Sequence, residues 1–428
     1  MTALALFAGF VALIALKVPI AMAIGVAVAM ALVAAGFTDT LWVVPLKVIE
    51  GVDNASLLAI PFFVLAGNLM NAVGMTARIF NLANALVGHF KAGLAQVNVL
   101  ASFMFAGSTG AAVADIAGLG TVEIKAMRER GYQPSFAAAI TTVSAIVAPF
   151  IPPSVPLVVY AFLSNTSVAR MFLAGIGPAI LVAGALMLFN RFLATRTTFP
   201  AQPPAPAGEI WRHAVDGAAA MLTPAIIMTG ILTGTTTAAE AGILACGYTL
   251  LLGAVYRTLR WSSLWSAVTE TVLITALIMV IIGFASGMGW LLAIERIPQD
   301  LAATVSSTVD TAFVFLLIVI FAVLIIGCFI DGVTAKLLLV PILLPLVDGF
   351  GIDRVHFGIV MQMSLILGLA TPPLGLGLYI VSKIAAIPVE DVIRAVLPFF
   401  IPLVIVLILL AAVPQFALFL PNLVLGPA

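Results

Sequence analysis

Ala148-Pro149-Phe150-Ile151-Pro152-Pro153-Ser154 interrupts a stretch, 131–169, that has no Asp, Glu, Lys or Arg, and Gly368-Leu369-Ala370-Thr371-Pro372-Pro373 interrupts another, 355–382. Each stretch exceeds the about 20 apolar residues that cross a bilayer core, so each reads as a membrane span broken in its middle. Proline removes backbone donors and frees carbonyls of the preceding turn. Irregular backbone at membrane depth is tolerated only inside protein or along a wet cavity. A broken span thus offers carbonyls and hydroxyls to a small cation and a half-helix N-terminus to an anion. Taken singly, such a break is equally well a proline kink with packing glycines; its recurrence favours the site.

The recurrence has a fixed register. Sliding the chain on itself by 220 residues sets Gly67 on Gly287, Gly107 on Gly327, Gly131 on Gly351, Pro152-Pro153 on Pro372-Pro373 and Pro178 on Pro398. One offset serving five landmarks marks a duplication. The expected organisation is a first repeat over 1–198, a linker over 199–217 with Pro200, Pro203, Pro204 and Pro206, and a second repeat over 218–428.

Ahead of each broken span lies a candidate re-entrant hairpin. Residues 92–129 run apolar to Ala106-Gly107-Ser108-Thr109-Gly110, then through Asp115 to Glu123 and Lys125, with basic flanks. Residues 311–347 turn near Phe329-Ile330-Asp331-Gly332 between acidic flanks, Glu295, Asp300 and Asp310 before and Asp348 and Asp353 after. Opposite flanking charge points to hairpins entering from opposite faces. Basic residues of short loops stay cytoplasmic. Five crossings and one hairpin per half put thirteen inside, Arg191, Arg196 and Arg212 of the linker region among them. Lys47, Arg170, Arg296 and Arg354 fall outside, and Lys336 sits in the second hairpin. Odd crossing numbers invert the second repeat and place both termini outside.

Composition sets the class. Of 428 residues 18 are Lys or Arg and 18 Asp or Glu, 8% charged against 63% hydrophobic. A soluble domain carries about a quarter charged residues, so soluble enzymes, nucleic-acid binders and disordered scaffolds are excluded. The fold expected is an all-α polytopic membrane protein. No Walker A, nucleophile elbow, zinc motif or dinucleotide fingerprint is present, so no ATP hydrolysis and no catalytic residues are expected. Cys246 and Cys328 read as small hydrophobes. His89, His213 and His356 read as interfacial. Asp115 and Asp331 are candidates for a site, a membrane carboxylate being functional by default, or for tying their own hairpins. Ser286, in Ala285-Ser286-Gly287, offers either a hydroxyl to a ligand or a close helix contact.

Ala106-Gly107-Ser108 running into Ala112-Val113-Ala114-Asp115, Pro152-Pro153-Ser154, Ile330-Asp331-Gly332 and Ala370-Thr371-Pro372-Pro373, in this order, resemble the large membrane subunit of tripartite ATP-independent periplasmic (TRAP) transporters over essentially the whole chain. The resemblance implies two inverted repeats in an elevator-type fold, with a scaffold and a transport domain carrying both hairpins. It implies sodium-coupled import of a small carboxylate solute across the bacterial inner membrane. It also implies a periplasmic substrate-binding protein and a small four-helix membrane subunit, the latter not expected to be fused ahead of the first repeat. Sodium ions are the coupling ions; no other cofactor is implied.

Carried over by residue, one sodium site uses Gly327, Gly368, Thr371 and the carbonyl of Leu374. The offset projects its partner onto Gly107, Ala148, Ile151 and Ser154. The solute is expected between the tips, with Ser108 and Thr109, and Ser286 beyond them, as polar contacts. Where the second half has Ile330-Asp331 the first has Gly110-Ala111, so the two sites differ. No arginine clamp for a carboxylate is evident. The alternatives are a stand-alone sodium/dicarboxylate symporter with related hairpins, or a channel or structural membrane subunit.

Overall fold

The computed structural model describes residues 2–197, 199–200, 202–372 and 374–427, without the side chains of Ala3, Leu4, Ser108, Thr109, Ala302 and Ser306. Among these residues all regular structure is helical. The chain opens with α1 (Thr2–Ala15), α2 (Ile20–Ala34), α3 (Val43–Val52), α4 (Ala59–Ala72) and α5 (Met75–Val87). A hairpin of α6 (Gly93–Thr109) and α7 (Ala112–Glu129) follows. Helix α8 (Pro134–Ser144) then runs through a 3-10 turn, Ala145–Phe150, into α9 (Val155–Ser164), bent by 44° at the break. Helix α10 (Val168–Leu193) ends this half.

The second half follows a similar order, with four helices ahead of its hairpin where the first has five. It comprises α11 (Ala207–Leu232), α12 (Ala238–Val255), α13 (Trp261–Ile294) and α14 (Ile297–Ser306), then a hairpin of α15 (Ala312–Phe329) and α16 (Gly332–Gly349). A broken pair follows, α17 (Arg354–Ala370) and α18 (Leu376–Ala385), and α19 (Val389–Val396), α20 (Phe400–Ala412) and α21 (Gln415–Leu425) complete the chain. Helix starts recur near one offset: Gly93 with Ala312, Ala112 with Gly332, Pro134 with Arg354, Val155 with Leu376, and Val168 with Val389. Among the described residues eight helices suit a membrane crossing by length and composition, nine with the bent pair as one span. Helix α13, with 34 residues, is about 51 Å long at 1.5 Å per residue.

Local chemistry sets the ends. Thr237 and Glu240 form a reciprocal capping box at the start of α12, satisfying two orphan donors. The Asp353 carboxylate accepts from the amides of Val355 and His356 and starts α17. Residues 207–217, expected as linker, are instead the first turns of α11. The locked φ of Pro206 presets the helix entry, and Glu209 in the first turn complements the helix dipole.

Burial separates two groups of helices. Every residue of α17 from Val355 to Ala370 is buried, as is the 3-10 turn before α9. Around this core the hairpins, α9, α10 and α18 to α20 form one body. Helices α1 to α4 and α11 to α13 pack mainly on one another and turn large apolar side chains outward, Trp211, Trp261 and Trp265 among them. That exterior suits lipid and would be a liability in water. His356, expected at the interface, is 2% exposed, its ring bonded to the Leu410 carbonyl of α20.

The hairpins are clasped crosswise. Helix α16 packs on α9 and α7 on α18, each hairpin thus meeting the broken span of the other half. Lys336 Nζ of α16 donates to the Pro156 carbonyl at 2.9 Å, and Arg128 Nη1 of α7 donates to the Ala385 carbonyl at 3.2 Å. The Tyr160 hydroxyl of α9 donates to the Arg354 carbonyl at 2.6 Å, and Arg354 Nη1 donates back to the Ser164 carbonyl at 3.0 Å.

Candidate binding site at the hairpin tips

In the second half, α15 ends at Phe329 and Ile330 is extended, so α16 must start without helical partners for its first amides. Asp331 supplies them. Its carboxylate accepts from the amides of Val333 and Thr334 at 3.0 and 3.2 Å and from the Thr334 hydroxyl. Asp331 therefore ties its own tip. Behind the tip, α15 and α17 meet backbone to backbone. A methyl added at Gly368 would lie 2.4 Å from the carbonyl carbon of Gly327, so the two glycines permit the approach. After Ala370 the chain turns, with the Thr371 amide on the Gly368 carbonyl and the Gly375 amide on the Thr371 carbonyl, both at 3.0 Å. The Thr371 hydroxyl donates to the Leu367 carbonyl at 2.7 Å and keeps its lone pairs. Gly327, Gly368 and Thr371 are thus neighbours. The side chain of Leu374 is 47% exposed and lines the same cavity as Gly327. Pro373 lies outside the described residues.

In the first half, α6 stops at Gly110, whose φ of 57° suits glycine. A Cβ there would lie 2.2 Å from the Pro153 carbonyl oxygen, and one at Gly107 would lie 3.4 Å from that of Pro152. The break thus turns two carbonyls toward the tip. Ile151 is extended, its amide on the Ala148 carbonyl at 3.4 Å. The hydroxyl of fully buried Ser154 donates to the Pro149 carbonyl at 2.6 Å and accepts from the Leu157 amide at 3.4 Å, capping α9. The side chains of Ser108 and Thr109, expected to touch solute, lie outside the described residues. Ser286, expected either at the solute or at a close helix contact, stands at a helix contact. Its side chain packs where a Cβ on Gly51 of α3 would come within 2.5 Å, and it lines neither cavity described below.

Both tips and both breaks face one cavity of about 260 Å³. Four helix N-termini reach it: α7 at Ala112, α9 at Pro156, α16 at Gly332 and α18 at Leu376. Those of α7 and α18 have no side-chain cap and present about half a positive charge in unsatisfied amides, whereas Asp331 and Ser154 cap α16 and α9. C-terminal ends reach it as well, α15 at Phe329, α17 at Leu369 and the 3-10 turn at Pro149, whose carbonyl already accepts from Ser154. No basic side chain lines it among the described residues. A second cavity, about 250 Å³, shares Ala111, Pro156, Asp331 and Val333 and is closed by Asn68 of α4 and Ile278 of α13. It lies between the hairpin body and the outer helices.

Two polar groupings escape a reading by motif. In α6 to α8, Ser102 donates to Asp115 at 2.8 Å, Asn98 bonds Thr141 and Ser144, and Thr141 contacts Glu123 at 3.5 Å. All six are at most 2% exposed. Asp115 Oδ1 and Glu123 Oε1 have no partner among the described residues. Asp115 thus joins the two arms of its hairpin. The spacing of Asp115 and Glu123, eight residues apart on one helical stripe, was the available clue. The other grouping is Lys336 with Gln362, fully buried between α16 and α17 and hydrogen-bonded to each other. A lone lysine inside an apolar hairpin was its clue.

With this geometry in hand, comparison with known proteins gives the family. The family described as "Tripartite ATP-independent periplasmic transporter, DctM component" matches residues 7–416. The sialic acid TRAP transporter large permease protein SiaM of Vibrio cholerae is 43% identical over 381 residues, 89% of either chain. The 2,3-diketo-L-gulonate TRAP transporter large permease protein YiaN of Escherichia coli is 35% identical, covering 92% of this chain and 95% of that one. The C4-dicarboxylate TRAP transporter large permease protein DctM of Pseudomonas aeruginosa is 35% identical over 90% of each. Among solved structures the YdaH transporter of Alcanivorax borkumensis shares the fold, with a TM-score of 0.62 and 18% identity over 91% of both chains. Its relatives are permeases and not enzymes, and the chain is a multi-pass inner-membrane protein. Family model, full-length relatives and helical architecture agree: this chain belongs to the DctM family of TRAP transporters, as a large permease subunit.

Proposed function

We propose that the chain imports a small carboxylate solute by sodium-driven secondary transport. The body of hairpins and broken spans would move as an elevator against the scaffold of α1 to α4 and α11 to α13. The observation that carries the reading is the cavity where the uncapped N-termini of α7 and α18 meet the C-terminal ends of α15 and α17: the first suit an anion and the second a dehydrated cation. The named solutes of the three relatives are all carboxylates. The sodium sites are Gly327, Gly368, Thr371 and Leu374 in one half and Gly107, Ala148, Ile151 and Ser154 in the other. A periplasmic substrate-binding protein delivers the solute and a small four-helix membrane subunit completes the transporter. The halves are inverted, with both termini periplasmic and the segment 199–206 cytoplasmic. An impermeant thiol reagent on intact cells should label cysteines placed at either terminus and spare one placed at Pro203 until lysis; labelling at Pro203 without lysis sinks the inversion.

Sialic acid, 2,3-diketo-L-gulonate and succinate form a suitable panel. Vesicles holding the chain with its small subunit, given binding protein, should accumulate at least one of them only with sodium outside. Accumulation without binding protein would favour a stand-alone symporter. Thr371→Val and Ser154→Ala each remove one hydroxyl ligand, a loss of about 1–2 kcal/mol by analogy with a buried polar group deprived of its partner. The sodium half-saturation should rise roughly five- to thirtyfold. An unchanged half-saturation in both variants, normalised to folded protein, would leave only main-chain ligands.

A further inference from the structure

Lys336 is among the largest fully buried side chains of the molecule and, among the described residues, forms no ion pair with a carboxylate. The nearby Asp331 spends its oxygens on its own tip. Two Lys336 N–H groups are used, on the Pro156 carbonyl and on Gln362 Oε1. Pro156 and Gln362 both line the cavity between the tips, so the amine stands one hydrogen-bond layer behind the cavity wall.

The chemistry fixes the amide. A lysine nitrogen only donates when charged, so the Gln362 atom facing it is the oxygen, and the amide nitrogen turns away. None of the Gln362 amide hydrogens is bonded to protein among the described residues, and the nitrogen is not among the sealed, unpartnered atoms. It is therefore a free donor at a cavity wall. The Asp331 carboxylate attracts the Lys336 amine through space without bonding it, and a solute carboxylate arriving in the cavity adds a second anionic partner for a buried cation that is costly to hold.

We propose that Gln362 is a solute-binding residue that donates from its amide nitrogen to the solute carboxylate, and that Lys336 is the positioning residue that orients the amide and adds the charge attracting the anion. This rests on the reading of the cavity as a carboxylate site. It also accounts for a site without arginine: the positive charge lies in the second layer and the hydrogen bond in the first.

The test uses the complete transporter in vesicles, with binding protein, a sodium gradient and labelled sialic acid, 2,3-diketo-L-gulonate and succinate. Gln362→Glu puts a carboxylate beside Lys336 and against the solute, and Lys336→Met removes the charge. Each should raise the solute half-saturation by about tenfold or more, the scale of a hydrogen bond to a charged group, while the sodium half-saturation stays where it was. Lys336→Arg keeps charge and donors and should recover most of the affinity. Should Gln362→Glu and Lys336→Met be folded and transport with unchanged solute half-saturation, the assignment is overturned. It is overturned equally if solute and sodium dependence shift together and arginine does not rescue, since that is the pattern of packing damage. A wild-type chain that accumulates none of the three acids overturns the carboxylate reading, and this inference with it.

Discussion

Gly368→Ala should reduce sodium-driven uptake by about a hundredfold or more, the effect of roughly 3 kcal/mol, whereas Gly184→Ala should transport as wild type. The added methyl at Gly368 would sit 2.4 Å from the Gly327 carbonyl carbon and 2.7 Å from its Cα. Carbon atoms rest about 3.5–4.0 Å apart. No side chain can swing aside, because the clash is with backbone, so α15 and α17 must separate by more than about 1 Å. That separation pulls apart the two carbonyls assigned to one sodium ion. At Gly184 nothing lies within 4 Å of an added Cβ, which makes it a control for helix propensity alone. Uptake against sodium concentration, normalised to folded protein, is the measurement. A Gly368→Ala protein with wild-type uptake would show that the α15–α17 contact is no part of the ion site.

Ser102→Ala should cost about 2–4 kcal/mol of stability, between the cost of an unsatisfied polar group and that of an uncompensated buried charge. Ser102 is the one donor to Asp115 among the described residues, and Asp115 Oδ1 already lacks a partner. The second half suggests the compensating change. The 220-residue offset places Ala322 opposite Ser102 and Ala335 opposite Asp115, with Ile318 and Leu343 opposite Asn98 and Glu123. An apolar pair thus serves the same hairpin position there. Ser102→Ala combined with Asp115→Ala should be more stable than Ser102→Ala alone, since removing both partners leaves nothing stranded. Thermal denaturation of the purified single and double variants closes the cycle. Strict additivity would mean that the serine and the carboxylate do not act as a pair.

Helix-breaking chemistry is local, so Pro152, Pro372 and the turn at Gly110 marked breaks and tips in the sequence without knowledge of neighbours. A periodic architecture doubled that information, because each landmark had a second occurrence to check it. Contacts between elements were harder. Ser286 offered either a ligand or a helix contact, because a hydroxyl beside a glycine has the same appearance in both; Gly51 opposite fits the contact. Glu123 was given no role from the sequence, yet it is 1% exposed, since α8 folds over it from eighteen residues downstream. Gln362 carried no clue by itself, and its role depends on Lys336 arriving from another helix.

The crosswise clasp has a consequence for how the molecule is made. Neither half owns a complete cavity, because α16 closes on Pro156 from the first half and α7 on Ala385 from the second. When α10 leaves the ribosome, α9 has no lysine to meet its first carbonyl, and the partner of Arg128 has not been synthesised. At about 5–20 residues per second, roughly 10–40 s pass before the matching helices emerge. Over that interval the proline-broken backbone of the first half has its own α6, α7, α8 and α10 around it and lacks α17. A chain stopped after α10 is therefore not half a carrier. It lacks α16, α17 and α18, so the lining of the cavity is complete only near the end of synthesis.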